Sequence, residues 1–154
     1  MKKLCIICDL DGVLFDSREW HKHLPLKSSE EAWYNFQKQV DTCKPNRELA
    51  KIITKLSHLI HIVFLTGREE TPFLKNKTIE QIYKASNQKL IPGKNYTLIM
   101  RSRNDFTPAS EVKDRALRKL LINFKPILAI DDEKENIRVF KKHGIETFYY
   151  KKYL

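Results

Sequence analysis

Two aspartates one residue apart, Asp9 and Asp11, close the first apolar run of the chain, and a second pair, Asp131-Asp132, closes a run near the other end. Thr66-Gly67-Arg68 and Arg101 close two runs between them. If these run-ends meet in space, four carboxylates share one site and repel one another. A divalent cation relieves that repulsion, and carboxylate oxygens are the ligands that Mg²⁺ prefers. The Thr66 hydroxyl, a backbone N–H and the Arg68 guanidinium are donors that suit a phosphate. Arg101 reads equally as a phosphate contact and as surface charge. The expectation is one site for a metal and a phosphoryl group.

For the run-ends to meet, the runs must be neighbouring strands with their carboxyl ends on one side. The apolar runs at 4–8, 60–65, 96–100, 127–130 and 145–150 have the length and continuity of buried strands. Helical spacing predicts helices over 28–40, 45–58, 71–86, 108–122 and 133–143. Ser28-x-x-Glu31 reads as a capping box for the first of these, and Gly144 suits the position just past the last. Continuous apolar strands alternating with helices predict an α/β fold: a Rossmann-like three-layer sandwich on a parallel sheet of about five strands. Such sheets bind ligands beyond the carboxyl ends of their strands, where the charged residues above fall.

Among 154 residues, 29 Lys and Arg oppose 19 Asp and Glu, a net charge of +10. The length predicts a single domain over 1–154. Hydrophobic residues at 42% and charged ones at 31% fit a globular protein and exclude a collagen, a disordered tail or a membrane bundle. Lys2-Lys3 and the apolar stretch after them are cut short at Asp9, too soon for a signal peptide. The expectation is a cytoplasmic chain with no membrane partner. Three cysteines make a disulfide framework implausible, and Cys5 and Cys8 read as small core residues on opposite strand faces. The basic surface suits nucleotides, nucleic acids or other anions, and equally serves as plain solubilising charge. His21-Lys22-His23 lacks a third ligand at metal spacing and reads as solvent-exposed. Trp33 falls on the apolar face of its helix, while Trp20 and Tyr34 stay open between packing and stacking on a base.

Asp9-Leu10-Asp11-Gly12-Val13-Leu14 resembles the first signature, D-x-D-G-[TV]-L, of haloacid dehalogenase-like phosphohydrolases. Thr66-Gly67-Arg68 resembles the second motif, Lys113 the third and Asp131-Asp132 the fourth, in order along the chain. Leu98 to Arg101, Glu111 to Lys113 and Leu128 to Asp132 further resemble the 3′-phosphatase domain of phage-type polynucleotide kinases. The chain departs from that pattern at Ala109-Ser110, where those domains carry acidic residues. It also lacks the kinase phosphate loop: Gly93-Lys94 is followed by Asn95 and has Gln88 in place of the first glycine.

The resemblance implies a Mg²⁺-dependent phosphomonoesterase that works through an aspartyl-phosphate. Asp9 would be the nucleophile. Asp11 would be the acid and base, with a raised pKa. Lys113 would neutralise charge, as a first-turn helix residue turned toward anionic ligands. Thr66, Gly67, Arg68 and Arg101 would bind phosphate or substrate, and Asp9, Asp11, Asp131 and Asp132 would hold the metal. It implies a small helical cap at 15–44, with Arg18 as a substrate contact. The implied substrate is a nucleotide or a 3′-phosphorylated nucleic-acid end. A phosphatase of another small metabolite, and a nucleic-acid-binding module without turnover, are the alternatives.

Overall fold

In the computed structural model, which describes residues 1–154, β1 (Lys3–Cys8) lies at the centre of a five-stranded sheet. Cys5 through Cys8 are all buried, so neither face of this strand meets water. Its flanks are β4 (His61–Glu69) and β6 (Phe124–Asp131), both parallel to it. β5 (Tyr96–Arg101) and β7 (Thr147–Tyr149) form the edges, giving the order β5-β4-β1-β6-β7 with every pairing parallel. The chain lays β1, β4 and β5 toward one edge, then crosses back to lay β6 and β7 toward the other. That reversal opens a crevice beyond the carboxyl ends of β1, β4 and β6.

Helices cover both faces. α3 (Arg47–Leu56) and α4 (Pro72–Ala85) bury Leu49, Ile53, Leu74 and Ile82 in one core cluster, together with Ile6 and Cys8 of β1. α5 (Ala109–Leu120) and α6 (Lys134–Lys142) bury Leu117, Leu120 and Phe140 in the other, together with Cys5 and Ile7. The two cysteines thus divide between the faces as the pleat requires. Each fully buried Leu or Ile contributes about 1.5–3 kcal/mol, so two facing apolar stripes hold each helix layer on the sheet.

Several boundaries differ from the sequence expectation. β6 begins well before 127, because Pro126 does not end it. The β1–β6 register shifts between Cys5 and Ile6, so Cys5 pairs with Pro126 and Ile6 with Leu128. A bulge accommodates the missing proline N–H. β4 runs on through Thr66-Gly67-Arg68 to Glu69, with an irregularity in its pairing to β5 between Leu65 and Glu69. The capping box at Ser28 does not form: Ser29 caps the helix by accepting from Ala32 N–H, and Ser28 Oγ accepts from Trp33 Nε1 instead.

Residues 15–45 are more elaborate than a helical insertion. β2 (Phe15–Asp16) pairs antiparallel with β3 (Lys44–Pro45) as a two-stranded ribbon. Between them lie α1 (Arg18–His21), α2 (Glu30–Lys38) and a 3₁₀ turn at Val40–Thr42. Trp20 ties these together. Its indole stacks on Phe36 at 4.6 Å and its Nε1 donates to the Phe36 carbonyl at 2.8 Å. No helix is long and apolar enough to cross a membrane.

Candidate active site

The Asp9 carboxylate hangs directly past the end of β1, and Asp131 ends β6 beside it. Oxygens of Asp9, Asp131 and Asp132 all lie within 4.8 Å of one another. Lys113 reaches in from α5, with Nζ 3.1 Å from Asp9 Oδ1 and 2.6 Å from Asp131 Oδ2. It is only 1% exposed. It is the fifth residue of α5, which starts at Ala109, and so lies in the second turn rather than the first. A helix dipole fades within one turn, so it does not oppose the cation there.

The electrostatics follow from burial and crowding. Burial pushes Asp9 well above the usual carboxylate range; Asp131, Asp132 and Asp11 push it further, against the pull of Lys113. Asp132 is pushed up to about 6, by burial first and then by Asp131. Burial alone would lower Lys113, but Asp9 and Asp131 more than reverse this and hold it charged. One ammonium therefore serves three carboxylates, and the group lacks positive charge. Asp131 Oδ1 accepts from Glu133 N–H and from Asn136 Nδ2, each at 3.0 Å. Asn136 Oδ1 is buried and has no donor. An acceptor without a donor, beside undercompensated carboxylates, suits a divalent ion and its bound water.

Asp11 departs from the expected metal set. Its carboxylate turns away from the other three and takes a bidentate pair from Arg68, Nε at 2.9 Å and Nη2 at 2.7 Å. Ser17 Oγ donates to it at 2.5 Å. Burial would raise its pKa, but the Arg68 charge and these hydrogen bonds override burial and leave it below the ordinary value. The expected raised pKa is thus corrected: in this state Asp11 is held ionised. Arg68 is itself buried, with Nη1 donating to Thr78 Oγ1 at 3.0 Å and Gln81 Oε1 at 2.8 Å on α4. The rings of Trp20 and Phe15 lie 5.1 and 5.3 Å from its guanidinium.

The remaining expected residues divide. Gly67 lines the cleft, whereas Thr66 is buried behind it with its hydroxyl accepting from Arg68 N–H at 3.2 Å. Arg101 is no free surface charge. Nε donates to the Gly67 carbonyl at 2.9 Å, and Nη1 donates to the Asp105 and Thr107 carbonyls at 3.1 and 2.5 Å. It staples the loop after β5 to the second motif and still lines the cleft. Arg18 pairs with Asp16 at 2.8 Å, lies over the Tyr153 ring and stays outside the cleft. Ser17, Thr78, Gln81 and Asn136 were invisible in the sequence, since their contacts exist only once the chain has folded.

The cleft itself encloses about 650 Å³. Its floor carries Asp9, Asp132 and Lys113, and its outer wall carries Trp33, Phe36 and Phe106. Gly12 turns the chain under the floor at φ +85°, and a Cβ there would come 2.0 Å from Asp132 Oδ2. Gly12→Ala is therefore expected to displace the Asp132 carboxylate and strain the turn. The expected result is a loss of stability of about 1–3 kcal/mol, read by chemical denaturation.

A model of the polynucleotide kinase PNKP phosphatase domain matches residues 3–152. A comparison with curated protein sequences returned no match. Among solved structures, a chain of the Pnkp1/Rnl/Hen1 complex superposes with a TM-score of 0.67 at 19% identity, over 97% of this chain and 45% of that one. The present chain thus spans less than half the length of that relative. A HAD-family enzyme from Bacteroides thetaiotaomicron, in complex with magnesium and inorganic phosphate, gives 0.59 at 14% identity over 97% of this chain and 94% of that one. A haloacid dehalogenase-like family protein from Streptococcus pneumoniae gives 0.58 at 14% identity, over 96% and 84%.

Proposed function

The chain belongs to the family of polynucleotide kinase phosphatase domains, and on that premise we propose that it is a Mg²⁺-dependent phosphatase of 3′-phosphorylated polynucleotide ends. The observation that carries the reading is the convergence of Asp9, Asp131 and Asp132 around Lys113 at the floor of an open cleft. The Pnkp1 relative, solved in an RNA repair complex, supports a nucleic-acid substrate, as does the +10 charge.

Asp9 is the nucleophile. Its Oδ1 is fixed by Leu10 N–H at 2.9 Å and by Lys113 at 3.1 Å, so the carboxylate is oriented before substrate arrives. Asp9, Asp131 and Asp132 would hold Mg²⁺, which supplies the charge that lets an anionic nucleophile meet an anionic phosphate. A bond forms from Asp9 oxygen to phosphorus as the bond from phosphorus to the 3′ oxygen breaks, and a proton passes from Asp11 to the leaving oxygen. Water then attacks the aspartyl-phosphate, gives its proton to Asp11 and frees Asp9. An Asp11 carboxyl held below its ordinary pKa by Arg68 and Ser17 suits the second step. For the first it must take up a proton, which is favoured when a bound phosphate competes for the Arg68 guanidinium. Residues 15–44 act as a small cap that leaves the cleft open enough for a polymer end.

The testing experiment is a panel of 3′-phosphorylated oligonucleotides, free nucleotides, sugar phosphates and 4-nitrophenyl phosphate, with Mg²⁺ and with chelator. The expected result is metal-dependent release of phosphate, fastest from oligonucleotide ends. A preference for sugar phosphates would transfer the reading to a metabolite phosphatase. No release from any phosphoester would favour a binding module.

A further inference from the structure

Beyond the cleft lies a second compartment of about 630 Å³. Ser28, Trp33, Gln37, Glu69 and Phe106 line both, so the two adjoin across these residues. At their junction the Trp33 and Phe106 rings stand 5.9 Å apart, one from α2 and one from the loop after β5. Phe106 is 62% exposed, and nothing in the core explains an aromatic there. Further in, Tyr34 of α2 and Phe73 of α4 meet edge-on at 6.3 Å. The compartment carries Arg103 against Glu30 and Glu69, so it offers no net positive charge for a phosphate. Glu69 is an acceptor there, already taking N–H donors from Gln37 and Asn104.

We infer that this aromatic junction is a two-base specificity site. The base of the 3′-terminal nucleotide stacks at Phe106 and Trp33, and the base before it enters the compartment against Tyr34 and Phe73. The inference rests on the polynucleotide reading above and adds which residues would recognise the polymer. Aromatic rings accept any base, whereas a compartment without excess positive charge disfavours a bare phosphate.

The test compares kcat/KM for 4-nitrophenyl phosphate, a nucleoside 3′-monophosphate, and 3′-phosphorylated di- and trinucleotides. Expected is a rise of about tenfold from mono- to dinucleotide and little beyond. Phe106→Ala should lower the ratio of dinucleotide to 4-nitrophenyl phosphate kcat/KM by about tenfold, and Tyr34→Ala should remove the gain of the second nucleotide. Both side chains are at least half exposed, so these variants should fold, as a melting curve would verify. A 2-aminopurine placed as the terminal base should lose fluorescence on binding the Asp9→Asn protein and recover it when Phe106→Ala is added. Equal kcat/KM at every length, with the Phe106→Ala ratio unchanged, would overturn the two-base site and leave the polynucleotide reading standing. Turnover of 4-nitrophenyl phosphate with none of any 3′-phosphorylated nucleotide would overturn the reading beneath it.

Discussion

Replacing Asp9 by asparagine is expected to lower kcat/KM by about 10⁴-fold or more while making the metal-free protein more resistant to unfolding. On the proposed mechanism, the loss follows from removing the atom that would bond to phosphorus. The gain follows from electrostatics. Asp9 is buried among Asp131 and Asp132, and burial and their charge hold its pKa well above the ordinary carboxylate value. A group whose folded pKa is raised favours the native state at low pH, and the advantage disappears as pH climbs through the folded value. For Asp132 that interval runs from the ordinary 3.8 up to about 6. With chelator present, stability should therefore fall as pH rises across this interval. Asparagine at position 9 carries no charge and weakens the repulsion on its neighbours, so the fall should be shallower. Added Mg²⁺ should raise the melting temperature of the native protein more than that of the variant. Thermal melts between pH 4 and 8, with chelator and with Mg²⁺, check each part.

Lys113→Met is expected to lose both fold and function. The methionine keeps much of the volume and removes the only ammonium between two buried carboxylates, Asp9 and Asp131. Breaking a buried pair from one side leaves uncompensated charge, at a cost of about 3–5 kcal/mol. Part of that should return with Mg²⁺, since a bound ion supplies the missing charge. On the proposed mechanism, activity should fall by about 10²–10³-fold even at saturating metal, because a preorganised donor toward the developing negative charge would be gone. Urea denaturation with and without Mg²⁺, followed by assay of whatever remains folded, separates the two losses. Arginine should not rescue, because its planar fork does not reproduce the single nitrogen set between Asp9 and Asp131.

What was legible in the sequence was whatever depends on short-range pattern. The runs at 4–8 and 60–65 are continuous and apolar, so they read as buried parallel strands, and the charged residues closing them fall at one end of the sheet. The parallel five-stranded α/β architecture followed from this alternation. What was not legible depends on geometry created by folding. Pro126 looks like a strand breaker until a bulge in β6 at Ile127 absorbs it. Asp11 looks like a fourth metal ligand until Arg68, far along the chain, arrives to claim both its oxygens. Arg101 could not be told from surface charge, because its partners are backbone carbonyls without identity in the sequence. Phe106 carries no motif, and its place beside Trp33 depends on how the loop after β5 meets α2.

The claim on which everything else depends is that Asp9 accepts the phosphoryl group. The direct measurement mixes Mg²⁺-loaded protein with an oligonucleotide radiolabelled in its 3′ phosphate, quenches in acid within milliseconds to seconds, and maps the labelled peptide. The expected result is a hydroxylamine-labile label on the peptide carrying Asp9, absent from the Asp9→Asn protein. Label on any other residue, or turnover by Asp9→Asn within tenfold of the native rate, would contradict the account.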